Sequence, residues 1–133
     1  MSENVELVRS IYAAWERGDY SSAAWAHPDI EYVNADGPDR GTRVGLDGMA
    51  ASWRRLLSVW SEFQTKAEEY RELDDGRVLV LADFGGTARI SGLDVRDGRS
   101  KGANVFEVIN GKVTRLTLYW NQERAFADLG MGE

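Results

Sequence analysis

Four side chains stand out for the chemistry that their types and spacing allow. Tyr32 and Asn34 lie two residues apart in Ile30-Glu31-Tyr32-Val33-Asn34, which reads as a short strand. A period of two puts both on one face. A phenol and an amide aimed into an apolar cavity are costly unless paired. They bond to each other or to the backbone, or they anchor a ligand carbonyl or hydroxyl, or a water. Asn104 shares a strand face with Phe106 and, opposite Asn34, makes a second anchor. His27 is the lone histidine and so the one side chain that titrates near neutrality unperturbed. It precedes Pro28 at a predicted helix end, where it either caps the last carbonyls or serves as an acid/base.

Around these groups the chain places large aromatics. Tyr12 and Trp15 fall on one helical stripe, and Trp53 and Trp60 on another. Alternation turns Phe84, Phe106 and Trp120 to the same side of a sheet. Trp15, Trp53, Phe84, Phe106 and Trp120 are therefore expected to converge. Such rings either fill a core or line a deep apolar pocket.

Composition narrows the classes. At 133 residues, 43% hydrophobic and 29% charged, the chain suits a single domain spanning 1–133. A net charge of −6 repels nucleic acid. The absence of cysteine excludes disulfides and thiolate sites, and one histidine excludes a histidine-rich metal site. No metal and no cofactor is expected. The polar, acidic start does not read as a signal peptide, and the longest apolar run, Val78 to Ala82, is too short to span a bilayer. A cytoplasmic protein with no membrane association is expected.

The positioning elements follow from periodicity. Residues 3–17 read as a helix ended by Gly18. A second, shorter helix runs from Asp19 to about Trp25 and stops at His27-Pro28. A strand covers 30–34, and 36–41 is a turn-rich loop. A third helix spans 45–60, with Leu46, Met49, Trp53 and Trp60 on its apolar face and Arg54 and Arg55 opposite. Strands follow at 62–73, 78–88, 101–109 and 112–120. Asp74-Asp75-Gly76 and Asn110-Gly111 mark hairpins, and Gly85-Gly86 marks a bulge or bend. A short helix covers 124–129. The fold class is α+β: a curved antiparallel sheet wrapped round three N-terminal helices, a cone-shaped α+β barrel with one mouth.

Gly18-Asp19 after the first helix, then Val105-Phe106, Asn110-Gly111-Lys112-Val113, Leu118-Tyr119-Trp120-Asn121 and Leu129-Gly130-Met131, carry a resemblance over essentially the whole chain. The chain resembles the SnoaL-like proteins of the nuclear transport factor 2-like superfamily. That superfamily includes isomerases, epoxide hydrolases, cyclases, dehydratases and non-enzymes, so the resemblance implies fold more than chemistry. The positions matching the ketosteroid isomerase tyrosine, base and second acid read Ile11, Asn34 and Asn104, with Tyr12 one residue off. An asparagine abstracts no proton, although Asn104 can still donate to a ligand oxygen. Tyr32-Val33-Asn34 matches the water-holding pair of the limonene epoxide hydrolases. Their Arg and Asp positions read Ala82, Phe84 and Leu118, which removes that acid and base. The SnoaL-type cyclases use a pocket aspartate, for which Asp36 and Asp83 remain. Alternation points Asp83 outward, which leaves Asp36.

The reading that follows is a binding protein for a small, largely apolar molecule. Tyr12, Trp15, Tyr32, Asn34, Trp53, Trp60, Phe84, Asn104, Phe106, Leu118 and Trp120 are its binding residues. The alternative is an isomerase, cyclase or hydrolase that uses Asp36 or His27 as acid/base. A homodimer is expected through an outer sheet face carrying Val105, Thr117 and Tyr119.

Overall fold

The apolar stripe at the N-terminus folds as α1, Glu3–Glu16, and buries Val5, Val8, Ile11, Tyr12 and Trp15. Glu3 and Glu6 in its first turn suit the helix dipole. The backbone N–H of Asp19 reaches back to the Ala14 carbonyl at 2.9 Å and closes the helix end. The computed structural model describes residues 3–17, 19, 24–36, 40–74, 76–88 and 100–130, and the side chains of these except 56–64, 74, 85–88 and 100. The predicted stop at Gly18 lies outside the described residues, as does most of the helix predicted from Asp19.

That predicted helix does not run into His27-Pro28. Residues 24 and 25 form a turn, and β1 spans Ala26–Asn34. His27 is therefore no helix cap; its Nδ1 accepts the N–H of Asp29 at 2.9 Å. Pro28 is tolerated in a strand because the pairing of β1 is interrupted between Ala26 and Glu31, where no ladder bond is asked of its missing N–H. The loop predicted to extend to Gly41 ends sooner. Gly41, at φ 133, opens β2, Gly41–Val44, which pairs antiparallel with β1.

α2 covers Gly45–Val59. It buries Met49, Ser52 and Trp53, and Arg54 and Arg55 are exposed as expected. Leu46 departs from the expectation, standing exposed at the helix start. Two helices thus stand ahead of the long strands among the described residues, against the three expected.

Then come β3, Trp60–Asp74; β4, Arg77–Ala88; β5, Ser100–Ile109; and β6, Lys112–Tyr119. These four form the antiparallel meander. The full order is β2-β1-β6-β5-β4-β3, with β1 parallel to β6, so the sheet is mixed where an antiparallel one was expected. Asn110 at φ 53 and Gly111 at φ 77 make the predicted tight hairpin. Opposite Gly85-Gly86 the pairing slips from Ser61↔Thr87 to Gln64↔Gly85, which gives β3 one extra residue.

Both sheet faces carry a buried cluster. Val78, Val80, Ala82 and Phe106 pack with Tyr12, Trp15, Tyr32 and Trp53 beneath α1 and α2. Leu79, Leu81, Ala103, Val105 and Tyr119 pack with Ala125 and Phe126. The latter two belong to α3, Gln122–Asp128, which Asn121 caps by accepting the N–H of Arg124 at 3.1 Å. The outer face was expected to be open. In fact Val105 and Tyr119 are buried under α3 and Thr117 is half-buried. No helix among the described residues is long and apolar enough to cross a membrane.

Candidate functional site

Alternation along β4 and β5 brings Ala82, Phe84, Gly102 and Asn104 beside Trp15 of α1 and Trp53 of α2. With Thr65 of β3 and Leu118 and Trp120 at the end of β6, they line one pocket of about 40 Å³. Each water needs roughly 10–15 Å³ measured this way, so the space suits only a few water-sized groups. Ala103 and Tyr119 complete the wall. Thr65 is buried, and its Oγ1 donates to the Asp83 carbonyl at 3.4 Å.

Asn104 is the amide in this lining. Its Nδ2 donates to the Oη of Tyr12, which is fully buried. The Tyr12 ring meets Trp15 edge-on at 4.9 Å, Phe106 at 6.0 Å and Tyr70 at 6.2 Å. Burial drives the Tyr12 phenol far above its ordinary pKa, with the Asn104 hydrogen bond acting the other way. It stays a neutral donor and acceptor at any ordinary pH.

With the amide so placed, the Tyr12 hydroxyl hydrogen has no acceptor among the described residues. Leaving a buried donor unpaired costs about 1–3 kcal/mol. A half-turn of the Asn104 amide removes that cost, because Tyr12 then donates to Oδ1 and the amide N–H groups are freed. The phenol thus favours an Asn104 that offers donors to the pocket.

The remaining candidates separate. Trp15, Trp53, Phe84, Asn104, Leu118 and Trp120 are brought together in the lining. Phe106 lies fully buried behind Trp15, ring centres 6.2 Å apart, and Tyr12 lies behind Asn104. Tyr32 and Asn34 share the face that alternation assigns them, but they meet α2 rather than the pocket. Tyr32 is buried with its ring 6.2 Å from Trp53, and Asn34 Nδ2 donates to Ser52 Oγ at 3.0 Å. The Trp60 side chain lies outside the described residues. Asp36 Oδ1 accepts the backbone N–H of Trp120 at 2.6 Å. His27 is engaged with Asp29, and neither His27 nor Asp36 is in the lining. Ile11, one residue before Tyr12, lines a separate hollow of about 410 Å³ that includes Leu7, Trp25 and Lys112.

Ser52, Thr65 and Gly102 carry no sequence signal as site residues, except that glycine inside a strand often marks a close approach. A Cβ on Gly102 would sit 2.6 Å from Cε1 of Phe84 and 2.6 Å from the Tyr119 carbonyl oxygen. Its absence lets the Phe84 ring lie across β5. No group of three or more His, Asp or Glu among the described residues is placed to hold a metal.

The comparisons agree with this architecture. A nuclear transport factor 2-like protein from Burkholderia thailandensis superposes with a TM-score of 0.77 at 24% identity, over 97% of this chain and 98% of that one. TerC, co-crystallised with polyporic acid, superposes at 0.69 and 22% identity, over 96% and 98%. A Xanthomonas campestris protein named provisionally as a polyketide cyclase superposes at 0.69 and 23% identity, over 93% and 94%. At these identities the likeness is one of fold. No curated protein matches the sequence. The model of the SnoaL-like domain matches residues 8–116, from α1 into β6, and the chain belongs to that family.

Proposed function

We propose that the protein binds a small, largely apolar molecule carrying an oxygen acceptor, with Asn104 as its anchor. The carrying observation is the lining: aromatic walls, one amide backed by a buried phenol, and no carboxylate or imidazole among the described lining residues. An amide has no titratable group near neutrality, so this arrangement grips an oxygen without moving a proton. The relative co-crystallised with polyporic acid supports a small-molecule ligand. We also propose a homodimer through the part of the outer sheet face that α3 leaves open, around the half-buried Thr117. Light scattering that shows only monomer at micromolar concentration would refute the dimer.

The test of binding is a thermal-shift screen of aryl ketones, followed by calorimetry on wild type and Asn104→Leu. Loss of one charge-neutral hydrogen bond should weaken a hit by about fivefold to tenfold. An unchanged affinity removes Asn104 as anchor.

The second reading is an isomerase, cyclase or hydrolase with Asp36 or His27 as acid/base. Two observations favour it: Asp36 bonds to the backbone of a lining residue, and the Xanthomonas relative is provisionally named a cyclase. Wild type, Asp36→Asn and His27→Gln are compared on the same hit. Turnover by wild type that either substitution abolishes, with binding retained, establishes this reading over the first.

A further inference from the structure

The pocket as it stands is too small for the ligand proposed for it. An apolar cavity of roughly 150 Å³ is what holds a single benzene, against about 40 Å³ here. A ring compound seated wholly inside therefore needs a wall residue to yield. Trp15 at 3% exposure and Trp53 at 8% are locked in the aromatic core, their ring centres 5.1 Å apart. Phe84 is buried, with its ring across Gly102. Tyr119 is buried as well, so Trp120 alone of the five lining aromatics is half-buried, and its ring stands edge-on to Phe84 at 5.2 Å.

Trp120 lies between the end of β6 and Asn121, the N-cap of α3. Its backbone is held from the β1 side. The N–H of Ala35 donates to the Leu118 carbonyl at 3.0 Å, and Asp36 Oδ1 accepts the N–H of Trp120 at 2.6 Å. The Ala35 bond prolongs the β1–β6 pairing past Asn34, and Asp36 supplies from its side chain the next acceptor that a strand would have supplied from its backbone.

We propose that Asp36 is a positioning residue: it holds Trp120 across the rim of the pocket, and ligand entry depends on the Asp36–Trp120 contact. This rests on the binding reading of the same pocket. The role needs an acceptor oxygen at Asp36, not a proton to transfer, so asparagine should replace aspartate and alanine should not.

Two measurements need no ligand. Amide hydrogen exchange in the wild-type protein should show the Trp120 N–H protected at least about tenfold over an exposed amide, as a held hydrogen bond requires. Acrylamide quenching of the fluorescence lost in Trp120→Phe reports the exposure of that indole. It should rise about twofold in Asp36→Ala and stay near wild type in Asp36→Asn, since asparagine keeps the acceptor. An unprotected Trp120 N–H, or equal quenching in wild type and Asp36→Ala, overturns the proposal. So does an asparagine variant that behaves like the alanine one, because charge would then be what matters.

The third measurement is stopped-flow association of 4-hydroxyacetophenone and 2-acetylnaphthalene. Asp36→Ala should admit the two-ring ketone roughly fivefold to tenfold faster, the equivalent of one hydrogen bond, with Asp36→Asn unchanged. Equal rates in all three proteins overturn the gating role. If neither ketone binds any variant, the binding reading fails, and exchange and quenching still decide whether Asp36 positions Trp120.

Discussion

The two faces of the central strands are built from different materials. On the inner face Tyr12, Trp15, Tyr32, Trp53 and Phe106 meet at edge-on or tilted angles, with ring centres 4.9–6.2 Å apart. Rings that meet on edge do not tile, and a hollow remains beside Asn104. On the outer face Leu79, Leu81, Ala103 and Val105 are smaller and mostly aliphatic, and a seven-residue helix seals them. Each face also holds a polar tyrosine. Tyr12 lies inside the core against a neutral amide, and Tyr119 lies at the edge of α3, donating to Asp128 Oδ2 at 3.1 Å. One period-two alternation thus gives a face with a hollow and a face covered by a helix.

The largest test of that contrast is Trp15→Ala. Trp15 touches Tyr12, Trp25, Trp53 and Phe106. Its truncation should cost about 3–5 kcal/mol in urea unfolding. A loss below about 1 kcal/mol would mean the inner rings are not packed as a unit.

Asn104→Leu should cost about 1–3 kcal/mol, because it strands the Tyr12 hydroxyl in the core. Adding Tyr12→Phe should recover most of that loss, since removing both partners is far cheaper than removing one. A denaturant double-mutant cycle reads the coupling, and additive losses would dissolve the proposed pair.

Phe126→Ala, on the outer side, should cost about 1–2 kcal/mol because the ring is only partly buried, and it should leave ligand affinity where it was. If affinity falls as far as in Asn104→Leu, the two faces are coupled and the contrast fails.

The smallest effect at neutral pH is that of Tyr119→Phe. Burial, then the hydrogen bond and charge of Asp128, push the Tyr119 phenol up to about 12, against roughly 10 for an unfolded tyrosine. The folded state favours the protonated form. Its contribution is complete below pH about 10 and is lost as pH rises towards 12. Thermal midpoints followed from pH 8 to 12 should fall less steeply in Tyr119→Phe than in wild type. Parallel curves would show that Tyr119 does not carry that share of the alkaline loss; Tyr12, also raised, titrates later still.

Much of the frame was legible. The stripes at Val5-Val8-Tyr12-Trp15 and Met49-Trp53 gave α1 and α2, and Asn110-Gly111 fixed the last hairpin. β2 was not legible, because Gly41-Thr42-Arg43-Val44 is mostly exposed and carries no alternation. Pro28 read as a helix stop, since nothing local shows that the strand ladder skips that position. The parallel pairing of β1 with β6 joins residues more than eighty apart, for which a local pattern holds no signal.

At the candidate site the division is the same. The sequence by itself determined which residues could share a face, because side-chain direction in a helix or strand follows from backbone period alone. Trp15, Trp53, Phe84, Asn104 and Trp120 were read as inward-facing that way, and they line the pocket. Only the tertiary structure decided what each face meets. It turned Tyr12, not Ile11, to Asn104, set Asn34 against Ser52, and used Asp36 on the backbone of Trp120. Those outcomes depend on helix rotation and on separations between elements, which are fixed by how the large rings pack and not by any pattern within a single segment.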